Sequence, residues 1–179
     1  KIMHPQQEVD NLIKDMNHYL QNPLEFFSSI QSVFIKLGQF LNNTKTKSYV
    51  LSAVSNYQFI DKLQKHMTRM ASSCADPNYA YLIKFSYYFL HDYTATAGDV
   101  IVNKDVVKRV FSNCYENENT TQALFSFLMM ATQTNNGKLS MSGIGPYITE
   151  YAKSMPYGSW TIRPLLIYTL WTETTTLYV

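Results

Sequence analysis

The side chains best suited to act as nucleophiles, bases or metal ligands are few and scattered: Cys74, Cys114, His4, His18, His66 and His91. None of these histidines or cysteines stands at ligand spacing from another, which predicts no metal site and no cofactor. His91-Asp92 could orient an imidazole toward Cys114 as a base and nucleophile pair. A plainer account covers the same residues, because a histidine in a helix's last turn favours the negative end of its dipole, and Cys114 falls on an apolar stripe. The phosphate-cradling glycine loops, the zinc-hydrolase histidine pair, the paired-cysteine motif and the serine elbow are all absent. The expectation is a protein that is not an enzyme, with no catalytic residue to name.

Charge offers a second kind of chemistry. Lys62, Lys65, His66 and Arg69 recur at helical spacing opposite Ile60, Leu63, Met67 and Met70, so their charges stand along one helix face. Lys104, Lys108 and Arg109 form a second, smaller cluster. The lysines and arginines of the two clusters are the nucleic-acid-binding candidates, since such rows can track phosphates. A solvated helix face explains them equally simply, and a net charge of +2 with 13 acidic residues supplies only a modest field for holding a polyanion. Farther on, Gly143-Ile144-Gly145-Pro146 resembles the hairpin of the helix-hairpin-helix motif. The resemblance implies backbone N–H groups that hold a nucleic-acid phosphate at the start of the second helix. Thr149 and Lys153 depart from that pattern, which prefers alanine and an apolar residue there. A glycine turn into a proline-started helix accounts for the segment without a ligand.

From residue 120 to the end the charged residues are Lys138, Glu150, Lys153, Arg163 and Glu173, so this third must be buried or face a partner. Tyr147, Tyr151, Tyr157 and Trp160 lie in it and are the protein-interface candidates, aromatic side chains being rigid and amphipathic. Cys74 and Cys114 read as buried thiols of an intracellular protein. Two glycosylation triplets, Asn42-Asn43-Thr44 and Asn119-Thr120-Thr121, point the other way and matter only in a secreted chain.

The elements that position these residues are helices. Of the 179 residues, 46% are apolar and 16% charged, with 14 Tyr, 10 Phe and 2 Trp, which argues for a packed core and against disorder. Val9, Leu12, Ile13, Met16 and Leu20 predict a first helix over Gln7 to Leu20. Asn22-Pro23-Leu24-Glu25 reads as a capping sequence opening a second, which runs to Leu41. Ser48 to Ser73 predicts a third, kinked near Asn56. Asp76-Pro77 opens a fourth, over Asn78 to His91, apolar nearly all round and therefore central. Thr94 to Val102 reads as a loop, and Asn103 as the cap of a helix that ends near Tyr115. A helix over Thr121 to Gln133 stops around Asn135-Asn136-Gly137. Two more are expected over Pro146 to Ser154 and Ile162 to Thr174, with short extended pieces at Val100 to Val102 and Thr174 to Val179.

The expected fold is therefore all-α, one soluble domain over residues 1–179. Seven to eight helices would form a compact bundle or an armadillo/HEAT-like stack of helical pairs, with no apolar run long enough to span a membrane. The expected function is a non-catalytic interaction or scaffold domain for another protein or peptide. A nucleic-acid-binding domain using basic helix faces is the alternative.

Overall fold

The computed structural model describes residues 3–154, and the all-α expectation holds there. Nine helices occur among the described residues: α1 Pro5–Tyr19, α2 Phe27–Leu41, α3 Lys47–Asn56, α4 Phe59–Ser72, α5 Pro77–Ala97, α6 Lys104–Asn113, α7 Glu118–Ala131, α8 Asn135–Ser140 and α9 Gly145–Ser154. Their starts follow from side chains that accept the first free backbone N–H groups. Asp76 accepts from Asn78, Asn103 from Asp105 and Val106, Asn117 from Thr120, and Thr134 from Gly137. The expected helix over Ile162 to Thr174 and the extended piece after it lie outside the described residues.

The helices pack in two layers. One holds α1, then α3 and α4, then α6 and α9, each against the next; the other holds α2, α5 and α7 in the same order. The layers meet through α1 with α2, α4 with α5, and α6 with α7. The core lies between the layers, where Ile13, Leu37, Val54, Leu63, Met67, Ile83, Tyr87, Val107, Phe125 and Phe127 are fully or almost fully buried. Helix α5 is the element most enclosed, contacting α2, α3, α4 and α7. Its buried Ser86 and Thr94 donate their hydroxyls back to the carbonyls of Leu82 and Leu90 at 2.7 and 2.6 Å, so they add no unmet polar group. Tyr87 differs. Its ring stacks on Phe127 at 5.5 Å, but its buried hydroxyl has no hydrogen-bond partner among the described residues.

Several boundaries differ from the sequence reading, each for a local reason. The expected third helix is broken rather than kinked: Gln58 takes a left-handed conformation (φ 51°, ψ 42°) that separates α3 from α4. The Asn22-Pro23 cap does not open α2, which begins four residues later. Phe26 instead packs on the rings of His18 and Tyr19 and closes the turn that joins α1 to α2. Helix α5 continues to Ala97 through Thr94 and Thr96, because the Thr96 hydroxyl also bonds back one turn, to Asp92. Gly98 then ends it with φ +76°. Asn135-Asn136-Gly137 opens a helix instead of stopping one: Gly137 sits so close to the Ala131 carbonyl and Thr134 hydroxyl that a Cβ would collide with both.

The two cysteines are not separate thiols. Cys74, in the α4–α5 turn, is disulfide-bonded to Cys114, the C-cap of α6, with Cα atoms 5.4 Å apart. The bond ties the ends of two neighbouring helices in one layer across a separation of 40 residues. A cross-link over a loop of that length stabilises the fold by about 4 kcal/mol on the loop-entropy model. Replacing both cysteines with serine is expected to lower the unfolding free energy by about 3–4 kcal/mol while the far-ultraviolet circular dichroism spectrum stays helical. Chemical denaturation checks this. Core truncation tests the central helix: Phe89→Ala is expected to cost about 3–5 kcal/mol, whereas Tyr87→Phe should be neutral or stabilising because it removes a buried hydroxyl without a partner.

Candidate binding surfaces

Helix α5 turns Tyr81, Phe85 and Tyr88 toward its outer side, alongside α2. Tyr81 (46% exposed) and Tyr88 (41%) stand on α5 with half-buried Phe85 between them, and Ile35 (54%) stands on α2. The Tyr81 ring lies 6.3 Å from Phe27 and 5.5 Å from Phe85 between centroids, so the strip is continuous. The Lys84 ammonium sits 4.4 Å from the Tyr81 ring centroid, a cation–π contact that holds that ring in place. Where α2 and α5 diverge, Phe34, Ile35, Phe85, Tyr88 and Phe89 line a groove of about 260 Å³ that also reaches Asn42 and Asp92. It is an aromatic surface with one lysine and one aspartate beside it, and no basic field.

A larger cleft, about 600 Å³, opens between the α3–α4 junction and the segment joining α5 to α6. Buried Gln64 shapes it. The Gln64 side-chain amide donates to the Ile101 carbonyl at 2.8 Å and its oxygen accepts from the Asn103 N–H at 2.8 Å, which satisfies backbone groups of a segment that belongs to no helix. Ser140 accepts from the Val102 N–H at 2.8 Å on the other side. Two carboxylates of its lining are also engaged: Asp99 accepts from the Val100 N–H and from Asn136, and Asp61 pairs with Lys65 at 3.1 Å. Burial, helped by the Asp99 carboxylate, raises the Tyr93 phenol above its ordinary range. The cleft fits a small molecule in size but presents no base placed against a nucleophile.

The Cys114 and His91 pair does not form. Cys114 is bonded to Cys74, and the His91 ring faces Asp92 at 3.0 Å at the middle of α5's surface, not at a helix end. No group of three or more His, Cys, Asp or Glu side chains among the described residues could hold a metal ion. No helix among them is long and apolar enough to cross a membrane.

The basic candidates lie on adjacent helices, α4 and α6, and most make contacts within the chain. Arg69 donates to the Leu20 and Gln21 carbonyls at the end of α1. Arg109 donates to the Ser72 hydroxyl at 2.6 Å, which joins the two clusters. Lys104 donates to the Ser142 carbonyl, and Lys108 stands 4.7 Å from the Tyr147 ring centroid. Lys62 is exposed. Burial, then the Arg69 charge, pushes His66 below its ordinary value, so it adds nothing to the row at neutral pH. The segment resembling a helix-hairpin-helix does form two helices, α8 and α9, about a turn in which Gly143 has φ +87°.

Of the interface candidates, Tyr147 is 42% exposed but Tyr151 is not a surface residue. Tyr151 is 4% exposed, with its ring 5.1 Å from Phe111 and 5.9 Å from Phe125 and its hydroxyl donating to the Tyr115 carbonyl. It anchors α9 to the core. Tyr157 and Trp160 lie outside the described residues. The α2–α5 strip was missed because a helix apolar on every side reads as wholly buried; the outward phase of Tyr81, Lys84, Phe85 and Tyr88 was the signal available. No family model, curated protein or solved structure matches the chain.

Burial pushes the Tyr151 phenol up to about 12 and also raises the Tyr87 phenol. Both groups bind their protons more tightly folded than unfolded, so stability is full below the ordinary tyrosine pKa and falls as pH climbs above about 10. Denaturation midpoints followed from pH 8 to pH 12 should decline from about pH 10 upward, and Tyr151→Phe should reduce that decline.

Proposed function

We propose that this domain is a non-catalytic protein-interaction module that docks an apolar segment of a partner protein along the α2–α5 strip. The observation that carries this reading is the continuous row of exposed Tyr81, Tyr88 and Ile35 with half-buried Phe27 and Phe85 beside a groove, without an accompanying basic field. Rigid aromatic side chains supply contact area at low entropic cost, and an apolar anchor entering a desolvated groove dominates binding at such surfaces. The alternation of helices between two layers supports an armadillo/HEAT-like stack, a scaffold type that binds partners along extended faces. The absence of a sequence repeat leaves that kinship a matter of geometry. The Cys74–Cys114 bond favours an oxidising compartment over the intracellular placement expected from two thiols.

Nucleic-acid binding is the second reading, favoured by the contact of Arg109 with Ser72, one turn beyond Arg69, which brings the α4 and α6 cations onto neighbouring surface. A single set of variants separates the two. Partner capture from the native source, with nuclease treatment, is expected to be lost in Ile35→Asp and weakened by more than about 1 kcal/mol in Tyr88→Ala if that residue is a hot spot. The Lys62→Glu, Lys65→Glu, Arg69→Glu triple variant should leave it intact. Nuclease-sensitive, steeply salt-dependent binding lost only in the triple variant would replace the first reading with the second.

A further inference from the structure

We propose that Asn42 and Asn119 are N-glycosylation sites, making this a glycoprotein domain of an oxidising compartment. Two independent features of the chain converge on this. The first is the Cys74–Cys114 disulfide, a bond that persists where thiols are not kept reduced. The second is the placement of the two acceptor triplets, Asn42-Asn43-Thr44 and Asn119-Thr120-Thr121. An arbitrary acceptor asparagine can fall anywhere in a fold, including the core; both here are exposed, as is Thr44, whereas Thr121 is buried behind Asn119 once the chain has folded. Neither side-chain amide makes a hydrogen bond among the described residues, whereas Asn103 and Asn117 are committed as helix caps. Asn42 is the C-cap of α2, where the chain leaves the helix, and Asn119 projects from the first turn of α7.

Each triplet carries threonine two positions after the asparagine, the hydroxyl the modification requires. In the transfer, the asparagine amide nitrogen attacks the anomeric carbon of a lipid-linked oligosaccharide. A nitrogen–carbon bond forms, the carbon–oxygen bond to the lipid pyrophosphate breaks, the amide gives up one proton, and the pyrophosphate leaves on its lipid. The folded domain then needs only room for the sugar at each site. Asn42 borders the groove lined by Ile35 and Tyr88, so a glycan there bounds the docking strip at that end and leaves the Phe27 and Tyr81 end open. The assignment rests on the oxidising placement and not on the docking surface.

The test uses the full chain isolated from its native source. It is alkylated without reduction, then treated with peptide N-glycosidase in heavy-oxygen water and read by peptide mass spectrometry. The expected result is conversion of Asn42 and Asn119 to oxygen-labelled aspartate, with Cys74 and Cys114 protected from alkylation until reduction. Unlabelled peptides at both asparagines with the cysteines still protected would overturn the glycosylation alone, and label at one site would overturn the assignment of the other. Unlabelled asparagines together with freely alkylated cysteines would overturn the oxidising placement as well. Expressed in a secreting eukaryotic host, Asn42→Gln and Asn119→Gln should each remove one step of the enzyme-sensitive gel shift, while Thr121→Ser should retain it. A Thr121→Ser chain that loses the shift, or single variants that leave it unchanged, would contradict the proposal.

Discussion

Helix α5 bears large apolar side chains on nearly every side, and a helix of that kind is stable only where other helices cover it. The arrangement of the domain follows from supplying that cover. Helix α2 lies along one side, α7 along another, and α3 and α4 close it from the second layer. Aromatic contacts fasten each approach: Phe89 meets Phe34 of α2 at 5.6 Å and Phe59 of α4 at 5.8 Å, while Tyr87 stacks on Phe127 of α7. At about 25 cal/mol for each Å² of apolar surface removed from water, rings of this size contribute several kcal/mol apiece before the entropy of ordering them is subtracted. The first layer then builds outward from α4, and the disulfide at its end holds α6 in register.

The cover is incomplete on one side, and the proposed docking strip lies there. Between α2 and α5 the chain leaves Ile35, Tyr81 and Tyr88 in water although equally polar alternatives would satisfy a helix surface. Leaving aromatic area exposed brings no stability to the isolated domain, which is the physical ground for proposing that it serves association. The basic residues behave differently. Arg69 and Arg109 tie helix ends to neighbouring helices through carbonyl and hydroxyl oxygens, which gives their charges a structural task.

How much of this was legible in sequence depends on whether the deciding contact is local. Asp76, Asn103 and the apolar spacing of α1 and α6 act within a turn or two, and those helices begin where the residues place them. Contacts between distant residues were not legible. Gln64 reads as one more polar position on a helix, yet it is buried and holds the backbone of Ile101 and Asn103, 37 and 39 residues away. Cys74 and Cys114 have no motif spacing, and only the side-by-side packing of α4 and α6 brings them into bonding range. Tyr151 shows the same limit from the other direction: scarce charge marked its region as buried or engaged, and the core of its own chain, not a partner, takes it. The Asn22-Pro23 sequence failed because packing of Phe26 on His18 and Tyr19 outweighed a favourable cap.

The dependence of the whole domain on α5 can be read directly by native-state hydrogen exchange, which reports the free energy at which each helix opens. If α5 is the element on which the layers rest, the amides of Leu82 to Leu90 should exchange only through global unfolding. Their opening free energies should equal that measured by denaturation, while α1 and α9 open at lower cost. Exchange of those α5 amides through a local opening, at a free energy below that of α1, would contradict this account.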